Sequence, residues 1–129
     1  MDNLTVTRVS CGALGAANVD ASVELDGWVH RRRDHGGLIF IDVRDRSGIT
    51  QVTFDPSKHD VFAEAETLRS EDVVRVRGIV RRRPPGTENA RLGTGEVEVP
   101  ADGLEVLNRS QTPPFVIASE EEPSEDVRL

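Results

Sequence analysis

The sequence predicts an all-β fold: a five-stranded barrel with one helix between the third and fourth strands. Two observations lead to this prediction. Apolar and polar residues alternate in five separate runs, and one run of helical period separates the third from the fourth. The strand candidates cover about residues 22–33, 37–45, 48–54, 72–83 and 95–107. At 129 residues, the chain is long enough for one domain, or for one domain with tails.

The first two strands indicate how the barrel closes and which side it buries. Gly27 lies inside the first strand, where a closing barrel needs a bulge or a bend. In the second strand, Ile39, Ile41 and Val43 alternate as core residues do. The opposite side of this strand therefore carries Phe40 beside polar residues. An aromatic ring in that position either packs under another segment or is free to receive a flat partner.

The second and third strands are predicted to form a hairpin that turns over residues 45–48. The expected cross-strand pairs are Arg44 with Ile49, Asp42 with Gln51, and Phe40 with Thr53. In this register Val52 and Phe54 point to the core, while Phe40 and Gln51 are diagonal neighbours on the outer face. One register thus explains both faces of the hairpin.

The helix is predicted within the segment PSKHDVFAEAETLRS, residues 56–70. Ser57 is the expected N-cap, and the apolar face consists of Val61, Phe62, Ala65 and Leu68.

The fourth and fifth strands show the same alternation of inward and outward side chains as the second and third. Their expected core side chains are Val74, Val76, Val80, Val97 and Val99, and their expected outward side chains are Arg75, Arg77, Glu96 and Glu98.

This order of elements is typical of the oligonucleotide-binding (OB) fold, which binds ligands on its second and third strands and in two neighbouring loops. An immunoglobulin-like sandwich is a weaker alternative because it needs about seven strands and no central helix. We expect three parts. They are an N-terminal strap over 1–20 with a short helical turn near 11–14, the OB domain over 21–109, and an extended linker over 110–129.

Composition excludes several classes of protein. Hydrophobic residues make up 36% and charged residues 30% of the chain, and no run is long enough for a membrane span or signal sequence. A cytoplasmic location is therefore expected. The single cysteine, Cys11, has no intrachain partner for a disulfide. Because His30, His35 and His59 lack the spacing of metal ligands, no metal site is expected.

The net charge of −7 hides an uneven distribution of charge. Residues 75–91 hold six arginines and one glutamate, whereas residues 120–126 hold five acidic residues. Arginine pairs with phosphate and stacks on flat rings. Together with the aromatic ring, the amide and the carboxylate of the outer face, these arginines are suited to reading an unpaired base. A free-standing single-strand nucleic-acid-binding or protein-interaction OB module is the alternative hypothesis.

Three segments of the chain resemble the N-terminal anticodon-binding domain of bacterial aspartyl-tRNA synthetase. They are GWVHRRRDHGGLIFIDVRDRSGITQVTFDP at 27–56, LRSEDVVRVRGIVRRRP at 68–84 and TGEVEV at 94–99. The final EDVRL is similar to the linker that precedes the hinge region of that enzyme. The sequence has no Phe-Arg-x-Glu motif of class II catalytic domains, so the chain is expected to be a fragment that is not catalytic alone. The related domains of lysyl- and asparaginyl-tRNA synthetases are alternatives within the same class.

The resemblance implies a role for each polar or aromatic residue of the outer face. Phe40 stacks on the middle anticodon uridine, Gln51 hydrogen-bonds to that base, and Glu98 reads the first base, guanine or its queuosine derivative. An amide offers the donor and the acceptor that a uracil edge needs, and a carboxylate accepts from the N1–H and N2–H groups of guanine. Arg31 and Arg33 hold the backbone of the anticodon loop.

The resemblance further implies that two loops contact the third anticodon base. The first loop is expected over residues 34–37 and the second over residues 84–89, which includes Thr87 and Asn89. His35 and Gly86 resemble the non-discriminating branch of the family, which charges both tRNA(Asp) and tRNA(Asn). For the whole enzyme, the resemblance implies a homodimeric class II aspartate–tRNA ligase that uses ATP and Mg²⁺. No cofactor is expected in this chain.

Overall fold

The computed structural model describes residues 6–110. Its strands are β1 (Thr7–Val9), β2 (Ser22–His35), β3 (Leu38–Asp45), β4 (Gly48–Phe54), β5 (Val73–Ile79), β6 (Arg81–Arg82) and β7 (Val97–Asn108). One α-helix, α1 (His59–Ala65), connects β4 to β5, and a 3-10 helix covers Ala16–Asn18. Among these residues, no helix is both long enough and apolar enough to cross a membrane.

The barrel closes through five strands, as predicted. Strands β2, β3, β4, β7 and β5 are neighbours in that order, and β5 pairs back with β2. The β4–β7 pair is parallel, while the other four pairs of the barrel are antiparallel. The prediction of an OB-fold barrel with a helix between the third and fourth of its strands is confirmed. The predicted strand over 72–83 is divided into β5 and β6. Strand β1 was not predicted, since its three residues are too few to show a period.

The inner faces of the barrel strands form the core. The predicted core residues of β3, β4, β5 and β7 are all buried, with exposed fractions of 2% or less. They are Ile39, Ile41, Val43, Val52, Phe54, Val74, Val76, Val97 and Val99. Burying a side chain of this size contributes roughly 1.5–3 kcal/mol. The β3–β4 hairpin also has the predicted register, with Phe40 opposite Thr53 and Asp42 opposite Gln51.

Strand β2 bends around the barrel, and its bulge lies three residues after the position that the sequence suggested. The pairing of β2 with β3 shifts between Val29 and Arg31, so His30 is the extra residue. Gly27 is instead a point of close approach. A Cβ atom on Gly27 would lie 2.4 Å from the carbonyl oxygen of Arg44, so only glycine lets β2 cross β3 this closely.

Helix α1 is shorter than predicted and begins differently. The N-cap is Lys58, which makes no capping hydrogen bond through its side chain, so the assignment of Ser57 as N-cap was wrong. The backbone N–H of Ser57 donates to Oδ1 of Asp55 at 2.8 Å, because the carboxylate competes for the amides at this end. The predicted apolar face is confirmed, since Ala65 and Leu68 are buried against the core.

The segment before β2 crosses the end of the β3–β4 hairpin. The backbone N–H of Cys11 donates to Oδ2 of Asp45 at 2.9 Å, and that of Gly12 donates to Oγ of Ser47 at 2.8 Å. Burial raises the pKa of the Cys11 thiol to about 12, so the thiol stays protonated at neutral pH.

The helical turn of the N-terminal strap lies at Ala16–Asn18, later than the predicted 11–14. Apart from Ser110, the predicted linker over 110–129 lies outside the described residues.

Candidate nucleic-acid interface

Phe40 lies on the outer face of β3, between Arg33 on β2 and Thr53 on β4. The period of two places it there, because its neighbours Ile39 and Ile41 fill the core. The ring is half-buried, and its outer side is covered by a cation. The guanidinium carbon of Arg33 lies 5.1 Å from the ring centroid, which is the distance of a cation–π contact.

A chain of hydrogen bonds continues from Arg33 across β4 and β7. Nη2 of Arg33 donates to Oε1 of Gln51 at 3.1 Å, and Nε2 of Gln51 donates to Oε1 of Glu98 at 2.9 Å. The other carboxylate oxygen of Glu98 accepts from Nε of Arg81 at 2.8 Å and from Nη2 at 2.7 Å. We call Phe40, Arg33, Gln51, Glu98 and Arg81 the outer row.

Two members of the outer row are less accessible than the alternation predicted. Glu98 is on the outer side of β7 as expected, but only 2% of its surface is exposed, and Gln51 is 5% exposed. Arg81 from β6 lies beside Glu98 and pairs with it, which compensates the buried charge. Glu98 thus lies on the predicted side of β7, but its burial beside Arg81 was not predicted. Both side chains are held in fixed orientations, which suits the recognition of one particular hydrogen-bonding edge.

The arginine triplet of β2 divides between two sides of the strand. Arg31 and Arg33 are exposed on the side that faces Asp42 and Phe40 of β3. Arg32 points elsewhere and fastens β2 to the end of α1, because its Nη1 donates to the carbonyl oxygen of Glu66 at 3.0 Å. The structure thus places Arg31 and Arg33, but not Arg32, beside the outer row.

The first predicted loop is a tighter turn than expected. Asp34 and His35 still belong to β2, and the turn consists of Gly36 and Gly37 alone. Both glycines have positive φ, 61° and 83°, which a two-residue hairpin turn of this kind requires. His35 is exposed opposite Leu38, at the end of the strand that carries Arg31 and Arg33.

The second predicted loop follows β6 and folds on itself. Gly86 has a φ of 89°, the Thr87 hydroxyl donates to the carbonyl oxygen of Pro84 at 2.6 Å, and Oδ1 of Asn89 accepts from the backbone N–H of Arg91 at 3.0 Å. Residues 84–91 are all exposed. Thr87 and Asn89 therefore shape the loop through these bonds, and the loop stays on the surface where a ligand can reach its side chains.

Sequence reasoning missed Arg83, which lies between this loop and the outer row. Its Nε donates to the carbonyl oxygen of Val97 at 3.1 Å and its Nη1 to that of Thr87 at 3.3 Å, and the residue is 7% exposed. Burial lowers the pKa of Arg83, and the charges of Glu98 and Asp42 act against that shift. No sequence signal indicates this burial, because three consecutive arginines have no apolar period.

The outer row offers three chemical functions to a ligand. The Phe40 ring can stack on a flat group, the Gln51 amide can donate and accept, and the Glu98 carboxylate can accept. Arg31 supplies positive charge beside them. Within residues 6–110, no three His, Cys, Asp or Glu side chains converge as metal ligands would. The arrangement suits stacking and hydrogen bonding to a flat ligand.

Comparison with known proteins gives one family match. The tRNA anti-codon model, described as an OB-fold nucleic acid binding domain, matches residues 23–107. An aspartate–tRNA(Asp/Asn) ligase of Rubrobacter xylanophilus is 60% identical over 120 residues, which are 93% of this chain and 20% of that protein. The chain thus spans about a fifth of the length of the curated relatives it matches.

Two solved structures extend the comparison. Asparaginyl-tRNA synthetase from Pyrococcus horikoshii matches with a TM-score of 0.67 and 30% identity, over 79% of this chain and 22% of that one. An OBody bound to hen egg-white lysozyme matches with a TM-score of 0.69 and 26% identity, over 83% of this chain and 94% of that one. The match thus covers a small part of the synthetase but nearly all of the OBody.

Proposed function

Because this chain belongs to the family of OB-fold nucleic acid binding domains, we propose that it binds the anticodon loops of tRNA(Asp) and tRNA(Asn), as the anticodon-recognition part of an aspartate–tRNA ligase. The observation that carries the proposal is the outer row. A half-buried aromatic ring, an amide and a carboxylate stand side by side on β3, β4 and β7. Strands β3 and β4 are the second and third strands of the barrel, whose faces OB folds use for single-stranded ligands.

In the proposed complex, each member of the outer row reads one feature of the anticodon. The ring of Phe40 stacks on the middle base, a contact worth about 1–3 kcal/mol for any base. Gln51 adds the choice of uridine, because its Oε1 can accept a hydrogen bond from the N3–H of the uracil edge. Glu98 accepts hydrogen bonds from guanine at the first position. Its hydrogen bond with Gln51 keeps the two readers in register.

The remaining predicted residues surround this row. Arg31 and Arg33 contact phosphates of the anticodon loop, which positions the RNA without reading its sequence. His35, Gly86, Thr87 and Asn89 lie on the two exposed segments that approach the third base in this proposal. His35 can donate or accept, so it serves either pyrimidine at that position.

The proposal also covers the longer enzyme. The chain matches about a fifth of its relatives, so aminoacylation with ATP and Mg²⁺, and the homodimer that the resemblance implies, belong to a longer protein acting in the cytoplasm. The OB domain proposed over 21–109 supplies recognition of the tRNA. By itself it binds the anticodon loop and does not catalyse aminoacylation.

The test is a titration of the chain with an RNA stem-loop that carries the anticodon GUC. Its matched control is a stem-loop with the anticodon CAG on the same stem. We expect the GUC loop to bind more tightly, with an affinity that falls as salt rises because phosphate contacts release counterions. Equal binding of both loops contradicts anticodon recognition. Binding of neither loop would favour the protein-interaction alternative, for which the OBody in complex with lysozyme is a precedent.

A further inference from the structure

We propose that Arg33 occupies the base-stacking surface of Phe40 in the free protein, and that the middle anticodon base binds only after this guanidinium has moved away. The inference rests on the proposed function, since it concerns how the same surface receives its base. It assigns Arg33 two successive places. In the free protein it covers the ring, and in the complex it lies against the phosphate backbone with Arg31.

The first argument is that Arg33 already makes both contacts that the base needs. Its flat guanidinium lies over the Phe40 ring, 5.1 Å from the centroid, on a surface where a base would stack. Its Nη2 donates to Oε1 of Gln51 at 3.1 Å, as the N3–H of uridine would. The planar guanidinium of Arg33, which donates to Gln51, thus occupies the place proposed for the planar uracil base, which would donate to the same atom.

The second argument is that the two occupants exclude each other. Gln51 is 5% exposed, and its amide is committed on both sides, with Oε1 to Arg33 and Nε2 to Glu98. A uracil edge can use Oε1 only if the bond from Arg33 is given up. Phe40 is half-buried and Arg33 lies over its ring, so a base that stacks on this side of the ring meets the guanidinium.

The third argument is that only a side chain has to move. Arg33 and Phe40 are a cross-strand pair of β2 and β3, so their backbones are held by the sheet. Arg33 is exposed, and a guanidinium on a flexible stem can swing outward without disturbing the barrel. Phosphates of the bound loop would then attract it.

Displacement of Arg33 adds selectivity at a cost in affinity. Every base that stacks on Phe40 has to break the cation–π contact and the bond to Gln51. Uridine recovers the bond to Gln51 through its own N3–H, whereas a base without a matching edge leaves the amide unsatisfied. Arg33 thus discriminates against wrong middle bases in a way that an uncovered ring would not.

The direct test is NMR spectroscopy of the chain, with labelled arginine and phenylalanine side chains, before and after addition of the GUC stem-loop. In the free protein we expect nuclear Overhauser contacts between the Arg33 side chain and the Phe40 ring. In the complex these contacts should be lost and replaced by contacts between Phe40 and the middle base. Persistence of the Arg33 contacts in a saturated complex overturns the inference, while anticodon binding itself stands.

The second test compares Arg33→Ala with Arg31→Ala, which alters the neighbouring arginine of the same face but no contact with Phe40 or Gln51. Both variants should weaken binding at low salt and reduce the slope of log affinity against log salt by about one. At 0.5 M salt, where phosphate contacts are weakened, Arg33→Ala should bind the GUC loop three- to tenfold tighter than the unmutated chain. Arg31→Ala should not.

The same comparison separates the two proposals. If Arg33→Ala binds more weakly than the unmutated chain at every salt concentration, Arg33 is only a phosphate contact and the inference is wrong. If the unmutated chain binds no stem-loop at any salt, the proposed function fails, and this inference fails with it. A stem-loop with adenine in place of the middle uridine adds a readout. The Arg33→Ala variant should prefer uridine over adenine less strongly than the unmutated chain does.

Discussion

Nε2 of Gln51 donates a hydrogen bond to Oε1 of Glu98 at 2.9 Å, across the parallel pair of β4 and β7. Each residue is at most 5% exposed, so water does not compete strongly for this bond. The bond fixes which atom of the amide faces outward, because Nε2 is committed to Glu98 and Oε1 remains on the side of Phe40. In the proposed complex, the residue that reads the first base therefore orients the residue that reads the second.

Glu98→Gln tests the reader of the first base. The substitution keeps the size of the side chain but replaces one acceptor oxygen by a donor, which cannot accept from guanine. Hydrogen bonds to a charged group are worth about 1.5–3 kcal/mol, so we expect a preference for guanine over adenine at the first position to fall by roughly tenfold or more. The measurement is a titration with stem-loops that differ only in this base.

Glu96→Gln is the matched control for this experiment. Glu96 is exposed and precedes β7 by one residue, so the control removes the same charge two positions away. Guanine preference should be unchanged in the control, and both variants should remain folded in thermal melts. If the unmutated chain binds guanine and adenine loops equally, Glu98 does not read the first base.

Phe40→Ala tests the stacking platform. Phe40 lies outside the buried core, so the variant should fold, and loss of the ring should weaken binding of the GUC stem-loop by about 1–3 kcal/mol. Ile79→Ala is the control, since Ile79 is a 45% exposed apolar residue on the outer face of β5. Its affinity for RNA should be unchanged. A large drop in melting temperature for Phe40→Ala alone would identify Phe40 as a structural residue.

The register of the β3–β4 hairpin could be predicted because only one alignment satisfies both of its faces. A slip of one residue would turn Ile39, Ile41 and Val43 toward solvent. The place of Phe40 on the outer face followed from the same alternation. The barrel could therefore be predicted from its long strands, in which apolar and polar residues alternate regularly.

The burial and the hydrogen bonds of the outer row could not be predicted, because they depend on contacts between segments that show no hydrophobic period. Glu98 is buried by Arg81, which belongs to a strand of two residues. Arg33 reaches Gln51 only because the bulge at His30 shifts β2 by one position relative to β3. Neither the bulge at His30 nor the division of the predicted strand into β5 and β6 leaves a signal in hydrophobic patterning.

Asp45 gives a prediction about acid stability. Burial alone would raise its pKa, but hydrogen bonds from Ser47, Cys11 and Gly48 outweigh that effect and hold the pKa below its ordinary value. A carboxylate of this kind stabilises the fold above its unfolded pKa of about 3.9, and the contribution disappears as pH falls through the lower folded value. We expect the free energy of unfolding to decline below about pH 4.

Asp45→Asn should remove that part of the pH dependence. At pH 7 the variant should lose roughly 1–3 kcal/mol, because its amide nitrogen cannot accept from the backbone N–H of Cys11. The difference from the unmutated chain should shrink as pH falls below 4, as measured by urea denaturation at a series of pH values. Asp102→Asn, at an exposed position of β7, is the control. A difference that stays constant from pH 7 to pH 2 would contradict a role for the Asp45 charge.

The last prediction concerns the third anticodon base. GUC and GUU share the bases assigned to Phe40, Gln51 and Glu98, so discrimination between them depends on the exposed segments that carry His35 and Gly86. We expect the two stem-loops to bind within about tenfold, a difference below roughly 1.4 kcal/mol. His35→Leu should widen this gap, because leucine cannot hydrogen-bond to either pyrimidine. Discrimination between the two bases then depends on how each one fits sterically. His59→Leu, at an exposed position of α1, should leave the ratio unchanged. A hundredfold preference of the unmutated chain for GUC would show that this OB domain distinguishes the two anticodons.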